Sequence, residues 1–387
     1  MNVESEPISV AILENWASDP DAAVALRLRQ RLRPVEESRI IFPPTYADIG
    51  YNIDQLSDGT QVATIDSIGS QANRLEPIFK SDSTNPDNWL VPQIQILLRE
   101  EACGQCDQCN RGTAERCANP RPVLRSLLDL AHRAADAVIQ CCPDLQGRVE
   151  AAFLNLRNGD AGPLCTIAPT SLVFGVWDSR GVSGEKRPRL IRSIIRAWEV
   201  EPIHAAAQFN SVSKYLDSRQ SNELKKTAKD LKVQLSEVGL DDAPSGRVHG
   251  GVLVHGEITR DVTVNLIALR GICGTDEEET KAIRRYLLGL CLFAAVSDGE
   301  LYLREGCLLH YAGNSDEWFE VPRRGEPRPV RLDRDVVRNF VEEAAHHFRQ
   351  RWPMTFAPQW PKLVYRFDVE AAKKLLEQKA KEKKSGT

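Results

Sequence analysis

Between Val24 and Arg33 the chain reads VALRLRQRLR, with Val24, Leu26, Leu28 and Leu32 alternating with Arg27, Arg29, Arg31 and Arg33. A helix would scatter these residues around its axis, whereas a strand turns successive side chains to opposite faces. Period two therefore predicts a strand with one apolar and one basic face. Same-face neighbours on a strand lie about 7 Å apart, so four like charges in a row repel unless an anion lies over them. A phosphate backbone is the natural anion, and a solvated sheet face is the ordinary alternative.

Only such local clusters can attract a polyanion here, because 50 Lys+Arg against 54 Asp+Glu leave a net charge of −4. The 387 residues, 42% hydrophobic, place the chain in the globular class with material for one large or two smaller domains. The longest apolar run, Leu287 to Val296, is far short of the ~20 residues of a membrane span. The start MNVESEPISV has neither a basic n-region nor an apolar h-region. The expectation is a soluble, cytoplasmic protein with no membrane partner.

Further along, paired prolines at Pro43-Pro44 predict a loop over 34–60. Apolar spacing predicts a helix over Ile65–Leu75 whose other face carries Ser67, Ser70, Gln71 and Arg74, donors without a carboxylate, suited to phosphate or ribose. A second amphipathic helix is expected over Val123–Ile139, and a strand over Pro169–Trp177. The stretch Arg180 to Arg196 sets Arg180, Lys186, Arg187, Arg189, Arg192 and Arg196 against one acid, Glu185. Its Gly- and Ser-rich start reads as an exposed contact loop. Residues 216–246 form a polar excursion. A hairpin is expected from Val248–Ile258 and Val262–Leu269, a capped helix from Thr275 to about Val296, a strand over Leu301–His310 and a helix over Asp333–Arg351. Mixed elements with antiparallel strands define an α+β fold. The tail Lys373–Lys384 carries six lysines and two glutamates and reads as a solvated helix end or disorder.

Cys103, Cys106, Cys109 and Cys117 crowd into EACGQCDQCNRGTAERC. Four thiolates at this spacing fit a tetrahedral Zn2+ with no open position, which makes the metal structural. An iron–sulfur cluster fits less well, because the fourth cysteine comes late and no proline follows it. The spacing is also that of the structural-zinc lobe of medium-chain alcohol dehydrogenases, but the chain has no GxGxxG after a strand and no catalytic zinc set. No HExxH, GxSxG or Walker A motif is present. Catalysis has no positive support in the sequence.

Five ordered stretches, RIIFPPTYA (39–47), TIDSIGSQANRLEP (64–77), SLLDLAHRAADAVI (126–139), APTSLVFGVWDSRG (168–181) and PRLIRSIIRAWEV (188–200), resemble the backbone RAMP subunit of type I CRISPR interference complexes (Cascade), closest to subtype I-U or I-G. The likeness runs through the first 200 residues and more loosely to about residue 350. It implies a modified RRM or ferredoxin-like core over 20–350 with antiparallel sheet and helical insertions. The four-cysteine metal lobe at 100–120 departs from that core and reads as an insertion; a basic tail follows at 365–387. It also implies a non-catalytic protein that polymerises with further copies of itself along CRISPR RNA beside other Cascade subunits, while the guide bases pair with a target DNA strand. By position, Ser70, Gln71, Asn73 and Arg74, then Arg180, Arg189 and Arg192, would lie beside the guide. Lys186 and Arg187 in the same cluster, and Arg29, Arg31 and Arg33 on the alternating strand, complete the expected RNA-binding set. The competing class is a RAMP-type endoribonuclease using Asp66 or Asp178, although a lone aspartate among cations is more often an ion-pair partner.

Overall fold

The computed structural model describes residues 8–103, 117, 119–179, 181, 183–204, 212–241, 249–313, 316–351 and 363–385. The alternating segment is strand β1 (Ala25–Pro34), in which Leu26, Leu28 and Leu32 are at most 3% exposed while Arg27, Arg31 and Arg33 face outward. Each buried leucine contributes about 1.5–3 kcal/mol. A one-residue slip would expose all three and bury the arginines, so the register is strongly specified.

In chain order the central elements are β1, β2 (Gln61–Asp66), α1 (Ile68–Leu75), β3 (Ile191–Trp198), β4 (Ile258–Asn265), α2 (Glu277–Val296), β5 (Cys307–Tyr311), β6 (Glu317–Val321) and α3 (Arg334–Arg351). Strand β1 pairs antiparallel with β4, and β4 with β3. On its other side β1 pairs with β6 along Ala25–Arg29 and with β5 along Leu32–Pro34. Taking β5 and β6 together as the last strand, the order β1-α1-β3-β4-α2-β5/β6 is βαββαβ. Its spatial order is fourth, first, third, second, which defines an α+β ferredoxin-like, or RRM-like, core. Strand β2 extends the sheet beyond β3.

The inner face of the sheet carries two apolar clusters. Helix α2 lies in the larger one, its run Leu287–Val296 almost wholly buried, with α3 behind it. That run is a core helix covered on several sides. Among the described residues no helix is long and apolar enough to cross a membrane. The smaller cluster, around Leu32, Ile195 and Ile258, is built with a second sheet of Val200–His204, His249–Val254 and Ile40–Ile41.

Several local expectations change. Ile65 belongs to β2, and α1 starts only at Ile68 because Ser67 caps it, accepting the Ser70 N–H. The 34–60 loop holds short strands at Ile40–Ile41 and Ile53–Gln55. No helix spans 123–139. Strand Arg121–Ser126 pairs with Ile94–Glu101, and short 3-10 turns and the helix Ala137–Gln140 follow. Ser126 and Asp136 each accept a backbone N–H two residues on, which breaks continuous helix into turns while keeping the apolar spacing. Residues 169–177 are mainly helical (Thr170–Val173), with strand only at Val176–Trp177. The expected hairpin divides between two sheets: His249–Val254 joins the second sheet and β4 the first. Gly256 at the crossing donates to the Trp198 carbonyl at 3.1 Å, and a Cβ there would lie 2.7 Å from that oxygen. Asp276 rather than Thr275 caps α2. Leu301–His310 is a short hairpin rather than one strand. The 216–246 excursion contains the helix Ser218–Leu231, and the tail is the helix Val369–Ser385.

Candidate nucleic-acid interface

Register decides which cations share the outer face of the sheet. Arg27 lies opposite Thr263 and Thr263 opposite Arg192; two residues along β4, Asp261 sits between Arg29 and Ile194; two further, Thr259 sits between Arg31 and Arg196. Arg33 lies opposite His310 on β5. Two clusters far apart in sequence thus form one face of six arginines, Arg27, Arg29, Arg31, Arg33, Arg192 and Arg196. The anion that β1 requires is partly supplied by the protein: Glu257 approaches Arg29 at 3.1 Å and Arg31 at 3.5 Å, and Glu317 approaches Arg31 at 3.4 Å. Arg27 lies over the Phe319 ring at 4.6 Å. Arg33, Arg192 and Arg196 make no ion pair among the described residues, so their charge is open to an external anion. RRM sheets that read bases present stacking aromatics. This one presents guanidinium groups, which suit phosphates.

A second locus is a cleft of about 570 Å³ where the start of α1, the turn at His132 and the short hairpin Val176–Trp177 with Lys186–Arg187 meet. Asn73, Lys186, Arg187 and Arg189 all line it. Arg133, which also lines it, is held from beneath by a buried ion pair with Glu76 at 2.8 Å, the two side chains 5% and 1% exposed. Burial pushes the Glu76 carboxyl up to about 7 against the pull of Arg133. Arg133 adopts φ 54° and donates to Asn73 Oδ1 and the Gly175 carbonyl, both at 3.3 Å. Arg189 and Arg192 are three residues apart on extended chain, at most about 10 Å, so the cleft opens beside the sheet face.

The remaining expected residues are placed differently. Gln71 is 3% exposed, donating to Asp66 Oδ2 and accepting from Ser193 Oγ, each at 2.7 Å. Arg74 pairs with Asp66 at 3.1 Å and donates to the Leu303 carbonyl. Ser70 is half-buried, its N–H used in the Ser67 cap. Arg187 pairs with Glu185 at 2.8 Å and donates to the Leu156 carbonyl. Arg180 lies outside the described residues. Asp178, 5% exposed, accepts from Ser183 N–H and Oγ and so braces its own turn. The sequence reading left Arg27, Arg196 and Trp177 out of the site. Arg27 was legible from the alternation, and Arg196 from the two-residue step after Arg192 and Ile194.

Of the cysteine cluster, Cys106 and Cys109 lie outside the described residues. Cys103 and Cys117 are brought together, the Cys103 N–H donating to Cys117 Sγ at 3.3 Å. Antiparallel pairing of Glu101 with Arg121 holds both ends of the lobe in place. Among the described residues there is no group of three metal-ligating side chains.

An RRM-like α+β core with a cationic outer face is thus the class of protein defined by the geometry. Residues 26–202, covering β1, β2, α1, β3 and the cysteine lobe, match the family model described as CRISPR-associated protein GSU0053 (Cas_GSU0053). Over these residues, a little under half of the 387, the chain is similar to this CRISPR-associated family. A comparison with curated proteins found no match.

Proposed function

We propose that this chain is a non-catalytic backbone subunit of a type I interference complex of subtype I-U/I-G, polymerising along CRISPR RNA and holding it by its phosphates. The observation that carries the reading is the register that lines up Arg27 with Arg192 and Arg31 with Arg196 on one open sheet face. Cations hold a guide without reading it, which leaves the bases to pair with a target DNA strand. In support of a holding role, Asp66 and Asp178, the candidate acids of the endoribonuclease alternative, are 2% and 5% exposed and already engaged.

The test is expression in cells carrying a CRISPR array. The purified protein should carry a protected RNA of uniform length that stays intact when incubated with divalent metal. Heterogeneous or no RNA would sink the backbone role, and cleavage lost in Asp66→Ala or Asp178→Ala would replace it with the endoribonuclease.

For the cysteine lobe we propose structural zinc held by Cys103, Cys106, Cys109 and Cys117. The Cys103 N–H to Cys117 Sγ contact fits a thiolate acceptor at that end of the cluster. Zinc in such sites adds about 10–16 kcal/mol of apparent folding energy in small peptides, so Cys106→Ser should unfold the lobe while the core stays folded. Elemental analysis should show one zinc per chain, lowered in Cys106→Ser. Iron and a brown colour would assign a cluster instead, and no metal at all would dismiss the lobe as a metal site.

A further inference from the structure

Trp177 is 60% exposed, on a short paired hairpin that fixes its position, and it lines the cleft described above. Nothing in the phosphate-binding reading requires an indole there. Lys186 Nζ lies 5.2 Å from the ring centroid, within cation–π range. Arg189 is exposed and makes no ion pair among the described residues, whereas Arg187 is engaged by Glu185. Among the described residues no carboxylate lines the cleft, and Asn73 and His132 offer polar groups at its rim. Asn73 Oδ1 already accepts from Arg133, which leaves its amide N–H groups free to donate.

A flat apolar surface flanked by cations, with no anion and with hydrogen-bonding groups at the edge, matches one nucleotide. The ring takes the base face, the cations take the phosphate, and the amide takes a base edge. We propose that this cleft is a stacking subsite for one unpaired base of a bound single strand, with Trp177 as the platform and Lys186 and Arg189 on the adjoining phosphates. The inference rests on the RNA-binding reading above and adds a base contact to a surface otherwise confined to the backbone. It is indifferent to base identity, because every base has a π-face.

The experiment compares wild type, Trp177→Ala and Trp177→Phe on two probes, labelled poly(U) and an abasic ribose-phosphate chain of equal length, across a salt series, with circular dichroism to verify folding. Stacking on an aromatic side chain implies that Trp177→Ala weakens poly(U) binding about 5- to 100-fold while Trp177→Phe retains most of it. The logarithmic salt slope should not change in Trp177→Ala, because no phosphate contact is lost, and should fall by about 0.7 in Lys186→Ala. The abasic chain should bind wild type weakly and be insensitive to Trp177→Ala. Wild-type poly(U) affinity in a folded Trp177→Ala overturns the subsite and leaves the RNA reading standing. Loss of self-association in Trp177→Ala with RNA affinity unchanged also overturns it, by making the cleft a protein interface. A wild-type chain that binds neither probe removes the RNA reading and the subsite together.

Discussion

Replacing Arg27, Arg33, Arg192 and Arg196 together with alanine is expected to lower affinity for single-stranded RNA by about a hundredfold or more at moderate salt, and to flatten the salt slope by about 3 if each cation meets one phosphate. The four residues share the outer face of the sheet and make no ion pair among the described residues, so they act as one patch. Location should outweigh number. Arg29→Ala alone should do little, because Glu257 already lies 3.1 Å from that guanidinium. Glu257→Gln should tighten binding by freeing Arg29, while Arg31 keeps its second partner, Glu317 at 3.4 Å. Removing the six lysines of Lys373–Lys384 should change affinity slightly, since their helix follows strand Leu363–Arg366, which joins Ile94–Glu101 in a sheet separate from that of β1. Filter binding across a salt series on folded variants decides the matter. A quadruple variant with wild-type affinity and slope places the RNA elsewhere.

The alternation in β1 was legible because period two needs only local sequence, and it specified the strand and its two faces correctly. The ferredoxin-like order was not legible from local pattern. Its defining pairs join β1 to β4 and β6 across more than two hundred residues, so it reached the sequence reading only through family resemblance. The same distance hid the shared rows of Arg27 and Arg192, whose union depends on Thr263 lying between them. The misread helix at 123–139 shows the opposite failure, where a strand followed by 3-10 turns reproduces helical apolar spacing without the helix. Trp177 was overlooked because its segment read only as a strand ahead of the basic loop. Gln71 had the right polar character for RNA, but the pattern could not show that Asp66 and Ser193 claim both ends of its amide.

One anomaly was readable and points to the interior. Gln30 breaks the apolar face of β1, and Arg260 breaks the face formed by Ile258, Val262 and Val264 on β4; the two lie opposite each other. Arg260 is 1% exposed, and burial pulls its pKa below the usual guanidinium value. It donates to Gln30 Oε1 at 2.5 Å, to Ser193 Oγ at 3.2 Å and to the carbonyls of Ala295 and Ala294 in the last turn of α2 at 3.1 and 3.4 Å. The chain continues from Gln30 to Asp316 and from Ser193 through Gln71 to Asp66 and Arg74. A cation at a helix C-terminus is favourable, and here it ties α2 to the sheet.

Arg260→Met is therefore expected to destabilise the fold by about 3 kcal/mol. Losing the buried charge returns some desolvation energy, but several acceptors are orphaned at about 1–3 kcal/mol each, and the second effect wins. That is a large share of the roughly 5–15 kcal/mol that holds a domain together. Arg260→Lys should rescue little, because a point charge cannot span acceptors on β1, β3 and α2 at once. Gln30→Leu added to Arg260→Met should recover stability, since the most exacting orphan is gone and methionine can pack on leucine. Denaturant unfolding of the two single variants and the double variant gives the coupling directly. A single variant as stable as wild type, or a double variant that merely sums the two losses, would mean that these residues are not one network.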